Sequence, residues 1–387
     1  MNDWKARFEN LFERIDDVSD DFRLRRRRAR NFKNPLMILP FFGFGTTEKI
    51  YLKGRVLENE GEILSTDADS VWRNLANMYR RFETDEVPFA KVRAAFQGAE
   101  TEAVADKEGY FEIELSPVGN LAEKLWHEVE LELLEPISLN GQTARTAGQI
   151  LTATENSRFG VISDIDDTVM TTNVTNRLKM LLTTLTTNEH MRIPFEGVAA
   201  FYRALQRGAG GAENNPIFYV SSSPWNLYTL LIGFFQKHEI PLGPLFLKDF
   251  GTHTPFKSGD HQSHKLENIK RILETFQGLP FILVGDSGEQ DPEIYYQVVK
   301  QYPNRIRAVY IRDVNPKPER VEAINKLIAE TNEIGSELVF ARDSEFAARH
   351  AAAEGLIAAD ELENIRVEKK IDEAAPSADE IIEKEVL

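Results

Sequence analysis

No cysteine occurs among the 387 residues. That absence excludes disulfide bridges, thiolate metal sites and a thiol nucleophile. Long apolar runs are also missing. The stretch from Leu36 to Phe44 is interrupted by Pro40 and Gly43 and falls well short of the roughly 20 apolar residues that span a bilayer. The first residues mix Asp3, Lys5, Arg7 and Glu9 with aromatics, which is not the pattern of a secretory signal. Positive charge is scarce as well. With 46 basic against 62 acidic side chains the net charge is −16, which argues against general nucleic-acid binding. No fixed-period repeat is visible. These absences predict a soluble, cytoplasmic protein, and 387 residues are enough for two or three domains.

Residues 1–35 read as an amphipathic helix, with Trp4, Phe8, Leu11, Phe12 and Ile15 on one stripe, followed by a basic run from Arg23 to Lys33. Such a segment can pack on its own domain with a solvated arginine face. It can also dock peripherally on an anionic membrane through residues 1–34, each basic residue adding about 1 kcal/mol. Residues 36–156 predict a small β-sandwich-like domain, with strands at Lys49–Leu57, Phe89–Phe96, Tyr110–Leu115 and His127–Leu133 and a helix over Thr66–Phe82. Residues 157–335 alternate short apolar runs with helical segments. Candidate strands are Phe159–Ser163, Ile217–Ser221, Leu245–Lys248, Phe281–Gly285 and Ile306–Ile311, and the alternation predicts a parallel α/β sheet. Residues 336–387 read as a helical, acidic and partly disordered tail.

Chemistry concentrates in the third segment. Asp164-Ile165-Asp166-Asp167-Thr168 follows the apolar run Phe159–Ile162, so carboxylates crowd the turn where a buried strand ends, the edge at which open α/β sheets bind ligands. A calcium-binding EF-hand loop starting at Asp164 would need Gly at position six and Glu at position twelve. Val169 and Thr175 stand there, which removes that reading. Ser221-Ser222-Ser223-Pro224 ends the second strand, where hydroxyls and helix N–H groups can face an anion. Lys265 offers a point charge for a phosphoryl oxygen. Gly285-Asp286-Ser287-Gly288-Glu289-Gln290-Asp291 closes a third strand. His253, His261 and His264 are spaced closely enough to suggest zinc, but in a Gly-, Ser- and Lys-rich loop they read as surface or supporting residues.

The order D-x-D-x-T, a strand ending in Ser, a Lys, then G-D-x-x-x-x-D resembles the haloacid dehalogenase superfamily of phosphohydrolases. Finer details are most similar to the actin-patch-protein phosphatidate phosphatase catalytic domain, a fungal and bacterial family: Pro194-Phe195-Glu196-Gly197, Tyr219 to Trp225, His264-Lys265, Asp291-Pro292-Glu293-Ile294-Tyr295 and Tyr310 to Val314. The resemblance covers about residues 157–320. It implies a Rossmann-like parallel sheet with a small cap or none, and Mg²⁺-dependent hydrolysis of phosphatidate to diacylglycerol and phosphate. Asp164 would attack phosphorus to give an aspartyl-phosphate, and Asp166 would act as acid and then base. Ser221, the Ser222 backbone N–H and Lys265 would hold phosphoryl oxygens. The hard-oxygen ligands of Mg²⁺ would be the Asp164 carboxylate, the Asp166 backbone carbonyl and Asp286, with Asp291 orienting Lys265 or a metal-bound water.

Two other readings stay open from the sequence. The same chemistry could serve a phosphoprotein, a nucleic-acid end or a soluble ester, or the fold could be a membrane-surface module that only carries phospholipid headgroups. If the N-terminal segment docks on lipid, deleting residues 1–34 lowers sedimentation with anionic liposomes by roughly tenfold or more, given several basic residues at about 1 kcal/mol each. Unchanged sedimentation would remove the membrane role of that segment.

Overall fold

The computed structural model describes residues 32, 34–58, 86–137, 143–170, 181, 195–248, 261–314 and 317–375. The N-terminal helix with its basic run, the helix expected over Thr66–Phe82 and residues 376–387 lie outside them. Two sheets organise what is described.

The first sheet has eight strands: β1 (Leu36–Pro40), β2 (Gly43–Gly45), β3 (Ile50–Glu58), β4 (Lys91–Phe96), β5 (Ala99–Val104), β6 (Tyr110–Leu115), β7 (Trp126–Glu135) and β8 (Arg145–Leu151). All pairings are antiparallel except that of β2 with β8. Period-two alternation sends Val92 and Ala94 of β4, Phe111 and Ile113 of β6 and Val129 and Leu131 of β7 inward. These residues join Leu52 and Val56 of β3 in one core. The apolar alternation predicts a β-sandwich of two sheets. Here the strands keep one hydrogen-bonded path, β1-β3-β2-β8-β7-β4-β5 with β6 on β3, and its two halves share that core.

The second sheet is wholly parallel: β9 (Gly160–Asp164), β10 (Ile217–Pro224), β11 (Leu245–Lys248), β12 (Phe281–Asp286), β13 (Ile306–Arg312) and β14 (Glu337–Ala341). The spatial order β11-β10-β9-β12-β13-β14 is 3-2-1-4-5-6 in chain order, the doubly wound arrangement whose direction reverses between its first and fourth strands. Side chains alternate between two buried faces, which is why each strand reads as a continuous apolar run. Val161, Tyr219, Ile282, Val284 and Tyr310 face α1 (Val198–Arg207), α2 (Tyr228–Lys237), α6 (Ser344–Ala353) and α7 (Glu361–Ala374). Ile162, Phe218, Leu283, Val309 and Ile311 face α3 (His261–Thr275), α4 (Asp291–Gln301) and α5 (Pro318–Glu333).

The boundary expected at residue 335 falls in front of the sheet's sixth strand. β14, α6 and α7 all occupy the stretch that composition marks as an acidic tail, and several of the acids there are structural. The Asp372 carboxylate accepts the Gly197 N–H at 2.9 Å, and Glu368 accepts the Ala200 N–H at 2.8 Å. Two carboxylates of α7 therefore satisfy free N–H groups at the start of α1, where negative charge is also favoured by the helix dipole. Glu368 and Glu361 further pair with Arg203 and Arg207 of α1.

The two sheets meet through aromatics. Phe44 of β2 packs against Phe218, Phe246 and Phe276, at ring-centroid distances of 6.2, 5.2 and 6.5 Å. Phe41 stacks on Trp225 at 4.6 Å, and the Phe42 N–H donates to the Tyr228 hydroxyl at 2.7 Å. The β-rich part thus closes the β11 side of the parallel sheet. Phe44→Ala removes a buried ring from this junction and lowers unfolding free energy by about 3–5 kcal/mol in chemical denaturation; a loss below about 1 kcal/mol would mean that the two parts do not depend on this contact.

Candidate active site

Asp164 and Asp286 are the last residues of β9 and β12, the neighbouring strands at which the sheet reverses direction. Both side chains are buried. After Asp164 the chain doubles back within a few residues. Asp167 takes a left-handed φ of 55°, a conformation Asp tolerates better than most residues, and its N–H reaches the Met170 carbonyl at 2.6 Å. Asp167, which the sequence leaves without a role, thus makes the turn that returns Asp166 to the crevice.

Serines of β10 meet Asp166 there. Strand alternation puts Ser221 and Ser223 on one face and the half-buried Ser222 on the other. Ser221 Oγ donates to Asp166 Oδ2 at 2.7 Å, Ser223 Oγ lies 3.4 Å from Oδ1, and the Ser223 N–H donates to Ser221 Oγ at 2.9 Å. Behind β9, Ser163 Oγ donates to the Asp164 carbonyl and lies 2.6 Å from the Tyr202 hydroxyl. Because the serine proton is committed to the carbonyl, Tyr202 is the donor to Ser163. Tyr202 belongs to α1, so the contacts of α7 on α1 extend to the backbone of Asp164.

Lys265 continues the apolar stripe of α3. Positions 265, 269, 272 and 276 recur at helical spacing, and the last three are Ile269, Ile272 and Phe276 in the core. The ammonium is therefore carried down to the end of the sheet, where its side chain is only 3% exposed. It stands 2.7 Å from Asp164 Oδ1, 2.8 Å from Asp291 Oδ1 and 2.9 Å from Glu289 Oε2. Burial works against its charge, but these carboxylates together push its pKa well above the ordinary lysine value.

Asp291 folds back over the end of β12. A Cβ at Gly285 would lie 2.5 Å from Asp291 Oδ2, so the close approach requires glycine. Asp291 Oδ2 accepts the Asp286 N–H at 3.2 Å, while Asp286 Oδ1 accepts the N–H groups of Gly288 and Glu289 at 2.6 and 2.9 Å. That turn points Glu289 back at Lys265. Asp291 and Glu289 complete the set that Asp164, Asp166, Ser221, Lys265 and Asp286 begin. Asp291 was visible in the Gly-Asp motif, whereas Glu289 joins through a turn that sequence spacing does not reveal.

Oxygens of Asp164, Asp286 and Asp291 lie within 4.8 Å of one another. Among the described residues, Asp164 Oδ2 and Asp286 Oδ2 are buried without a hydrogen-bond partner, a costly state for a carboxylate. Burial first, then neighbouring Asp291, pushes Asp286 up to about 8. Burial likewise raises Asp164 well above the usual carboxylate range, against the pull of Lys265. Hard and without partners among the described residues, these oxygens fit a divalent cation, whose charge would take the place of the protons. The Asp166 carboxylate is turned to the serines instead. His264 Nε2 lies 3.1 Å from Asn268 Nδ2 on its own helix; the side chains of His253 and His261 lie outside the described residues. No helix among the described residues is long and apolar enough to cross a membrane.

A family model described as "Phosphatidate phosphatase APP1, catalytic domain" matches residues 159–313. "Phosphatidate phosphatase APP1" of Saccharomyces cerevisiae is 37% identical over 155 residues, which is 40% of this chain and 26% of that protein. An uncharacterized protein of Schizosaccharomyces pombe is 28% identical over 250 residues, 62% of this chain and 40% of the other. The chain thus spans between about a quarter and two-fifths of the length of these curated relatives. Among solved structures, a β-glucuronidase of Bifidobacterium dentium aligns with 79% of this chain and 52% of its own at 12% identity, with a TM-score of 0.24, too low to bear on the fold.

The acid cluster makes stability depend on pH. Asp286 keeps its proton in the folded chain up to about pH 8 but loses it near 3.8 when unfolded. Its contribution is therefore fully present below that lower value and is lost as pH rises to the upper one. Glu289 and Asp164 shift in the same direction. In chelator, the denaturation midpoint is expected to fall between about pH 5 and pH 8, to fall less in Asp286→Asn, and to recover at the upper pH when Mg²⁺ is added. A midpoint that rises over that interval would contradict the assignment.

Proposed function

Residues 159–313 carry a catalytic domain of the phosphatidate phosphatase APP1 family, and from that premise we propose that the chain is a Mg²⁺-dependent phosphatase of the haloacid dehalogenase type whose substrate is phosphatidate. The observation that supports it best is the pairing of two carboxylates in different settings at one strand end. Asp164 is buried beside the Lys265 ammonium, while Asp166, two residues after Asp164, is hydrogen-bonded to Ser221.

In this reading an oxygen of Asp164 attacks phosphorus as the bond to the glycerol oxygen breaks, and Asp166 gives its proton to the departing alkoxide. Diacylglycerol leaves. Asp166 then takes a proton from water, whose oxygen displaces Asp164 from phosphorus and releases inorganic phosphate. Ser221, the Ser222 backbone N–H and Lys265 hold phosphoryl oxygens and keep the phosphorus in line with Asp164. Asp164, the Asp166 backbone carbonyl and Asp286 would hold Mg²⁺, with Asp291 fixing Lys265 and the Asp286 backbone. When bound, the ion supplies the positive charge that lets an anionic nucleophile approach a phosphate.

The doubly wound order supports the superfamily assignment, because it delivers the ends of β9, β10 and β12 to one crevice. A cytoplasmic enzyme meeting its lipid at a membrane surface fits the proposed substrate. In mixed micelles of phosphatidate with Mg²⁺, Asp164→Asn is expected to abolish phosphate release, and Asp166→Asn to lower it about 10²–10⁴-fold. Release from water-soluble phosphate esters alone would keep the chemistry and discard the lipid. Wild-type rates in both variants would discard the mechanism.

A further inference from the structure

Lys265 has three N–H donors and no other polar capacity. Three carboxylate oxygens stand around it, from Asp164 at 2.7 Å, Asp291 at 2.8 Å and Glu289 at 2.9 Å. A phosphoryl oxygen can therefore gain this cation only by displacing one of them. The three are not equally free to leave. Asp164 and Asp291 have side chains 1% and 0% exposed. Asp291 is also tied by its second oxygen to the Asp286 N–H, and Asp164 sits at the end of a central strand. Glu289 is 30% exposed and lies on the turn between Asp286 and α4.

We propose that Glu289 is a placeholder for the substrate phosphoryl group: its carboxylate occupies the Lys265 ammonium in the free protein and swings outward when a phosphate dianion arrives. The idea rests on the phosphatase reading only in assuming that Lys265 holds phosphoryl oxygens. It adds a competing anion inside the site. Glu289 and a phosphate dianion carry charge of the same sign, so both cannot share Lys265 without repulsion. Exchange of one for the other keeps the buried ammonium paired at every stage, which avoids the penalty of an unpaired buried charge. The same competition hastens release of product phosphate once hydrolysis is complete.

The surroundings are built for such a swing. The backbone of the turn is fixed while the Glu289 side chain spans the gap. Arg320 of α5 donates to the Ser287 carbonyl at 2.9 Å and the Glu289 carbonyl at 2.6 Å, and it pairs with Glu293. Asp286 Oδ1 holds the Glu289 N–H from the other side. Only side-chain torsions of Glu289 need to change, with no rearrangement of the acidic cluster beneath it.

The test uses inorganic phosphate as the probe, titrated calorimetrically into the full chain in saturating Mg²⁺, with wild type, Glu289→Gln, Glu289→Ala and Lys265→Met compared after their folding has been checked by thermal denaturation. Removing the competing charge is expected to tighten phosphate binding about tenfold in Glu289→Gln, a change of about 1.4 kcal/mol, and at least as much in Glu289→Ala, while Lys265→Met weakens it. A gain is informative because mere structural damage lowers affinity. Unchanged or weaker binding in both Glu289 variants, with Lys265→Met still weakened, would overturn the placeholder and leave the phosphoryl site standing. Unchanged binding in all three would overturn both.

Discussion

A single ammonium surrounded by buried carboxylates sets the terms for this site. Lys265 cannot stay charged at the end of a sheet unless anions accompany it, and Asp164, Asp291 and Glu289 cannot crowd there unless a cation does. One positive charge does not balance them all. Asp286 adds a further buried acid, with an oxygen that finds no partner among the described residues, and a cluster that must hold protons for want of positive charge is the physical argument for a divalent cation at this place. Every element that touches the crevice serves this arrangement: α3 carries the ammonium inward on a core stripe, β9 and β12 end at the reversal of the sheet, and Gly285 makes room for Asp291 to lean across.

Support for the site reaches into parts of the chain that carry no chemistry. The α7 carboxylates satisfy the start of α1, α1 presents Tyr202 to Ser163, and Ser163 donates to the Asp164 carbonyl. On the other side, Arg320 of α5 grips the carbonyls of the turn that aims Glu289. The β-rich part seals the β11 edge through Phe41 and Phe44, and Phe41 stacks on Trp225, the residue that follows the serine-bearing strand. The crevice is thus held from both faces of the sheet and from one of its edges.

Much of the parallel sheet is legible in the sequence because buried strands leave continuous apolar runs. Leu245–Lys248 matches its expected bounds, and the other four candidates differ by three residues or fewer at either end. β14 escapes that signal: it is short, lies at the sheet edge and begins with Glu337 in a charged region. β5 escapes for a related reason, since its sequence AETEAV has no fully buried side chain and pairs with β4 mainly through its backbone. The order of paired strands, which creates the crevice, depends on tertiary packing and leaves no local mark. Within the site, the motif residues stand out because unusual chemistry follows strong strands. Glu289 and Ser223 do not, because their roles come from how a turn and a strand direct a side chain.

The central proposal is that Asp164 is the nucleophile that carries the phosphoryl group between two steps, and the most direct measurement is a search for the covalent intermediate. The wild-type chain is mixed with phosphatidate and Mg²⁺, quenched in acid during turnover, digested and examined by mass spectrometry. The account predicts one added phosphoryl group on the peptide containing Asp164, absent from Asp164→Asn. Phosphate release by the wild-type chain with no adduct on that peptide, or an adduct on another residue, would contradict it.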